Sequence, residues 1–129
     1  MSPDECIAAL DDALAEDGED VILRRIVGAA NIDVTCRAKV IPLSLRFGVD
    51  KIVNGVVALG VSIVISPTQI DRAQWPGGTL PLRAPFNIDP RIPRIDQDRA
   101  IVRGRLYSLT YVTPLIVAGK IVRIEMWTA

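Results

Sequence analysis

The stretch Ile32-Asp33-Val34-Thr35-Cys36-Arg37-Ala38-Lys39-Val40 decides the fold class. Five small or apolar residues alternate with Asp33, Thr35, Arg37 and Lys39. Successive side chains of a strand point to opposite faces, so this period of two describes an antiparallel strand buried on one side and solvated on the other. Pro42 ends the run, because proline has no N–H to give to a ladder. Just upstream, Val21 to Val27 also reads as a strand, with an alternation blurred by Arg24-Arg25.

Before Gly18 the period changes to that of a helix. Ser2-Pro3-Asp4-Glu5 combines a capping hydroxyl, a proline suited to the first helical position and a glutamate placed to close a capping box. Asp4 and Glu5 also suit the positive end of the helix dipole. Ile7, Leu10 and Leu14 recur at helical spacing, flanked by Cys6 and Ala13, and Asp17-Gly18 ends the element. The expectation is an acidic amphipathic helix over residues 2–16.

Beyond Pro42 lies a long, largely apolar connection over 42–60, in which Asn54-Gly55 between Val53 and Val56 has the composition of a two-residue hairpin turn. A connection of this length is more often functional than filler. Val61 to Ser66 is a short apolar strand. Ser66-Pro67-Thr68-Gln69 repeats the cap grammar of the N-terminus and predicts a brief helical turn through Ile70 and Trp75. Pro76, Pro81, Pro85, Pro90 and Pro93 then make 76–98 an irregular segment. From Ala100 the β pattern returns: Ala100 to Val102, a turn at Arg103-Gly104, a strand over Arg105 to Val112, a loop from Thr113 to Gly119, and a closing strand from Lys120 to Trp127.

One helix followed by about six strands, without βαβ alternation, predicts a mainly β protein: a small antiparallel β-barrel or sandwich with one N-terminal α-helix and long loops. The 129 residues fit a single domain, with the helix over 2–16 and the barrel over 20–127, carrying its long loops at 42–60 and 76–98.

Half of the chain is hydrophobic but only 5% is aromatic, so Val, Ile and Leu supply most of the apolar volume. The positive mean hydropathy of +0.31 is compatible with a large aliphatic core or with apolar surface buried against other subunits. The formal net charge of zero conceals a polarised chain. Residues 1–20 hold eight carboxylates and no Lys or Arg, which leaves all 15 basic groups facing seven acidic ones in the rest. Arg83, Arg91, Arg94, Arg99, Arg103 and Arg105 form the densest basic stretch. It reads either as a solvated or ion-pairing surface or as a phosphate contact. No aromatic residues interleave with these arginines to make a stacking platform for single strands.

Catalytic machinery is not evident. The chain has no His, the commonest general base and metal ligand. It has neither a GxSxG elbow nor a GxxxxGK[ST] loop. No metal set and no cofactor motif stands out, and the expectation is a protein that is not an enzyme. Cys6 and Cys36, the only cysteines, lack CxxC spacing and read as buried, inert thiols. A Cys6–Cys36 bond is geometrically open if helix and strand pack together, and cytoplasmic assembly argues against it. The strongest apolar run, Val56 to Ile65, is too short for a membrane span, and the N-terminus lacks a signal pattern.

Taken in order, Leu14 to Arg25, the charged strand Ile32 to Val40, the stretch Ile52 to Gly77 and the hairpin around Gly104, Pro114 and Gly119 resemble the head–tail joining proteins of tailed bacteriophages, also called head-closure or head-completion proteins. The resemblance covers most of the chain through an ordered set of weak features. It implies a β-barrel subunit of the virion neck, made in the host bacterial cytoplasm and assembled as a homo-oligomeric ring, hexamer or dodecamer. Such a ring lies beneath the portal or adaptor layer and docks the tail terminator or tail tube. It implies passing contact with genomic DNA in the lumen, and no catalysis, cofactor or membrane. The loop Ile41 to Ile52 is more apolar than the family pattern and the segment Leu80 to Gln97 is longer, so a portal adaptor or tail terminator of the same machine remains open. So does a small β-barrel that binds nucleic acid.

Two sets of residues are candidates for subunit contacts. Asp4, Asp11, Asp12 and Glu16 on the helix are placed to meet basic surface near Arg91, Arg94 or Arg99 of a neighbour, or else form a solvated face. Leu43, Leu45, Phe47, Val49, Ile52 and Val53 in the apolar loop either pack on another subunit or fold over their own barrel.

Overall fold

The computed structural model describes residues 2–42, 52–53, 56–57, 60–75, 92–95 and 97–128. Its first element, α1 (Pro3–Asp17), starts as the sequence predicts. The Ser2 hydroxyl accepts the Glu5 amide and the Glu5 carboxylate accepts the Ser2 amide, so two orphan donors are satisfied reciprocally. Among the described residues eight strands follow, with a second, short helix after the fifth: β1 (Glu19–Val27), β2 (Ala30–Pro42), β3 (Ile52–Val53), β4 (Val56–Val57), β5 (Val61–Ile65), α2 (Thr68–Ala73), β6 (Asp98–Val102), β7 (Arg105–Val117) and β8 (Lys120–Thr128).

Six of the strands close a barrel in the order β1-β2-β5-β8-β7-β6, with every neighbouring pair antiparallel. The mainly β, antiparallel barrel with one N-terminal helix is thus the architecture. The alternation that began the sequence reading holds. Val34, Cys36 and Ala38 are buried, Ile32 and Val40 pack against the core from its margin, and Asp33, Thr35 and Lys39 are exposed. Val21, Leu23, Ile63, Ile65, Ala100, Val102, Ile124 and Met126 complete an interior that is almost wholly aliphatic. Cys36, Ala38 and Ala100 supply small volumes among the branched ones, as a narrow barrel requires.

The hairpins are set by turn chemistry. Arg103 and Gly104 both have positive φ, at 53° and 81°, as the two-residue turn with the right twist demands. The β3–β4 pair, with Val53 opposite Val56, is the hairpin that Asn54-Gly55 suggested, although those two residues lie outside the described ones.

One expectation is overturned. Thr113 to Gly119 is not a loop: β7 continues through Pro114 to Val117 and turns only at Ala118-Gly119. Pro114 is tolerated because β6 pairs only with Arg105 to Ser108, so beyond that point the missing N–H interrupts no described ladder on the β6 side. The second cap also differs in detail. Pro67 occupies the cap position of α2 without a side-chain bond, while the Ser66 hydroxyl oxygen accepts the Thr68 amide at 3.3 Å.

β2 and β8 both outrun the five-residue β5 at the end where β2 begins. There α2 packs against β2, with Ile70 buried and Trp75 fully inside, its indole N–H donating to the Ile32 carbonyl at 2.9 Å. α1 lies across β2 and β8 with Leu14 as its buried contact. Gly18 lets the chain leave α1 and enter the barrel: a Cβ there would stand 2.4 Å from the Leu14 carbonyl oxygen and 2.9 Å from that of Ala38.

Candidate interaction surfaces

The acidic helix divides into residues fixed within the chain and residues left facing outward. Asp11 is a fastener: it accepts the hydroxyl of Ser66 and that of Thr68, the latter at 2.6 Å, tying α1 to the start of α2. Asp4 accepts from the Lys120 ammonium at 2.7 Å across to the β7–β8 turn. Asp12 and Glu16 are exposed and have no described partner. Of the four helix carboxylates singled out from sequence, two are therefore intrachain ties and two point away from the barrel.

Glu16 and Asp17 also occupy the last turn of α1, at the negative end of the helix dipole, and no basic residue of the helix offsets them. The cation that caps this end comes from β2 instead. Arg37 donates from Nε to the Leu14 carbonyl at 3.0 Å and pairs with Asp20 at 3.3 Å.

The basic body divides in the same way. Arg103 pairs with Glu19 at 2.7 Å, and the Arg24 guanidinium binds Asp33 through both carboxylate oxygens at 2.9 and 3.0 Å. The hydrogen bonds from Arg24 hold the Asp33 carboxyl below the usual carboxylate range. Arg94 gives its backbone amide to Asp98 at 2.7 Å and lies beside the barrel end. Arg99 and Arg105 differ: Arg99 reaches only the Asp98 backbone carbonyl, Arg105 lies over the Tyr107 ring at 5.2 Å, and neither has a described carboxylate partner. Arg91, together with Leu43, Leu45, Phe47 and Val49, lies outside the described residues. Ile52 and Val53 are described as paired backbone.

Sequence reasoning passed over the most heavily buried polar group. Arg25, which seemed only to blur the alternation of its strand, points into the barrel and is 4% exposed, and Asp98 is fully buried. The two form a bidentate pair at 2.8 Å for both bonds. Trp75 stacks on the guanidinium at 4.6 Å, and Arg25 further donates to the Ile92 carbonyl at 3.3 Å. The one available signal was position: with Val21 and Leu23 facing in, the period of two sends Arg25 in as well.

Exposed large apolar side chains concentrate on one strand. Among the described residues Leu106, Tyr111, Leu115 and Ile116, all on β7, are 44–56% exposed, and only Ile26 and Ile95 join them from elsewhere. Tyr111 tilts against Trp127 of β8 with ring centroids 4.6 Å apart. Ile101 of β6 pairs with Leu106 and with Ile22 of β1, making an aliphatic row across the outside of three strands.

For chemistry there is less to build on. Among the described residues no three His, Cys, Asp or Glu stand together as a metal site. Both cysteines are free; Cys36 is buried as expected, and burial pushes its thiol up to about 12, whereas Cys6, expected to be buried, is only half-buried on the helix. A shallow groove between α1 and α2 is lined by Asp4, Asp11, Asp71, Arg72 and Lys120, three of which the ties above already engage. No helix is long and apolar enough to cross a membrane among the described residues. No protein-family model matches the chain, and no curated protein matches it.

Proposed function

We propose that this chain is a non-catalytic structural subunit of a tailed-phage neck, acting as one copy in a ring that joins the portal side of the DNA-filled head to the tail. The observation that carries the reading is the outer face of β6–β8. It exposes Leu106, Tyr111 and Leu115 in one sheet, while the interior is packed with aliphatic side chains and its Arg25–Asp98 pair is satisfied. A barrel with a filled interior acts through what it presents outside, and clustered exposed apolar residues mark contact surfaces. A β-barrel core, which the sequence resemblance implied, is also the fold of this chain.

A ring requires a heterologous contact, in which one patch of a subunit meets a different patch on the next. The acidic helix and the basic body meet that requirement in charge. The reading is tested by electron microscopy of the purified chain, alone and mixed with portal and tail, and by deleting its gene in the parent phage. Rings that bridge the two, and full heads without tails in the deletion, are the expected results. A chain that forms no ring and binds neither portal nor tail overturns it. Salt-dependent binding of duplex DNA by the isolated subunit, without ring formation, would instead favour a nucleic-acid module.

A further inference from the structure

The geometry points to a specific subunit contact: the outer face of the β6–β7 hairpin of one copy receives the outward face of α1 from a second copy. The inference rests on the ring reading above and says which surfaces meet in it.

The receiving face is apolar and basic. Leu106 and Ile101 form its aliphatic row, and Arg99, on the same side of β6 as Ile101, flanks it without a described carboxylate partner; Arg105, opposite the buried Val102, turns to the other side with Tyr107. The two acidic residues of β6 and β8 do not neutralise it, because Asp98 is consumed inside the barrel by Arg25 and Glu125 is held by Arg123 at 3.4 Å. The face therefore combines desolvation gain with unpaired positive charge, which calls for a partner that is small in relief and negative.

The outward side of α1 has that character. Pro3, Cys6, Ile7, Leu10 and Leu14 turn toward the barrel, which leaves Ala9, Asp12, Ala13 and Glu16 on the opposite side. Alanine keeps the helix surface low, so its backbone can approach a sheet closely. Asp12 and Glu16 lie one turn apart on the same stripe. Glu16 also sits at the helix end where a carboxylate is unfavourable in the isolated subunit, and a guanidinium from a neighbour would offset that cost. α1 cannot satisfy the face of its own copy, since it is fixed across β2 and β8 by Asp11, Lys120 and Arg37. Donor and receiver are thus different patches on one chain, and the contact propagates head to tail.

Charge reversal separates this arrangement from the alternatives. A helix variant carrying Asp12→Lys and Glu16→Lys has two basic faces, and a sheet variant carrying Arg99→Glu and, directly opposite it on the same face, Ser108→Glu has two acidic ones. All four side chains lie outside the core, and circular dichroism and thermal melts verify that each variant remains folded. Assembly is read by native mass spectrometry and negative-stain imaging over a concentration series. Each variant alone is expected to associate roughly 100-fold more weakly than the wild type, because like charges face each other across the contact. An equimolar mixture is expected to recover rings in which the two variants alternate, and the chain carrying all four substitutions is expected to recover rings by itself. If the wild type forms rings and either variant alone forms them equally well, this contact is wrong and the ring reading stands. If the variants fail and neither the mixture nor the fourfold chain recovers rings, the pairing of these two faces is wrong. If the wild type forms no ring under any condition, both readings fall together.

Discussion

Replacing Asp98 with alanine tests whether the barrel end is held by its buried ion pair. In the wild type both guanidinium–carboxylate bonds are 2.8 Å long, Asp98 is fully buried and Arg25 is 4% exposed. The substitution leaves a guanidinium inside the barrel, against Trp75 and the Ile92 carbonyl, without its carboxylate. It also deprives the Arg94 amide of the Asp98 carboxylate. Breaking one side of a buried pair costs about 3–5 kcal/mol, because the surviving charge stays desolvated. With a urea slope of about 2 kcal/mol per molar, that moves the unfolding midpoint down by roughly 2 M. The melting temperature should fall by about 10–20 °C for a domain of this size. Urea titration followed by tryptophan emission reads the change directly, since Trp75 stacks on the affected group. A second variant, Arg25→Met with Asp98→Leu, removes both charges and keeps the volume. It should recover more than half of the loss, the remainder reflecting the Arg94 amide at about 1–3 kcal/mol. A midpoint shift under about 0.5 M for Asp98→Ala, or a double variant worse than Asp98→Ala, would refute the assignment of this pair as the closure of the barrel.

Three further outcomes follow from the same structure. Thiol labelling of the native protein near pH 8 should modify Cys6 alone, and Cys36 only after unfolding, because Cys36 is fully buried with its thiol raised to about 12. The same shift makes the fold lose stability as the pH rises above about 8.5, where the unfolded thiol ionises and the folded one does not. Nuclear magnetic resonance titration should place Asp33 below the ordinary aspartate value of about 3.9, and Arg24→Gln should bring it back up. Any stability that this exposed pair adds is present above that ordinary value and disappears as the pH falls through the depressed one. Gly18→Ala should destabilise by about 1–3 kcal/mol in a urea titration despite an ordinary φ of −90°, since the added Cβ meets two backbone oxygens that cannot move independently.

Local grammar carried the fold because it was consistent across most of the chain. The capping box at Ser2 and Glu5, the alternation from Ile32 to Val40 and the paired turn residues at Arg103-Gly104 each have a single local solution, and each is found. Pro114 misled because its cost depends on whether a neighbouring strand needs its N–H, which is a fact of topology and not of spacing. Arg25 misled for a related reason. A charged residue at an inward position reads as an interruption until its partner, 73 positions away in sequence, is known. The contact candidates were legible as residue types but not as free or occupied ones. Asp11 and Asp12 are adjacent carboxylates on one helix, yet the first is bound by two hydroxyls and the second faces outward.

Closure of the barrel also restricts how copies of the chain can meet. In an open sheet the cheapest association adds a strand to an unpaired edge, and a closed barrel removes such edges. The exception here is the part of β7 beyond Ser108, whose described ladder bonds run only to β8. Pro114 sits within it and cannot donate, and the register shifts on either side, between Leu109 and Tyr111 and between Leu115 and Ile116, break the regular spacing a second strand would need. Those features oppose strand addition while leaving the outward side chains of the same strand exposed. Association through the faces of the sheet, where Leu106, Tyr111 and Leu115 are exposed and Arg99 has no described carboxylate partner, is then the route that the fold leaves open, and it is one that charge can orient.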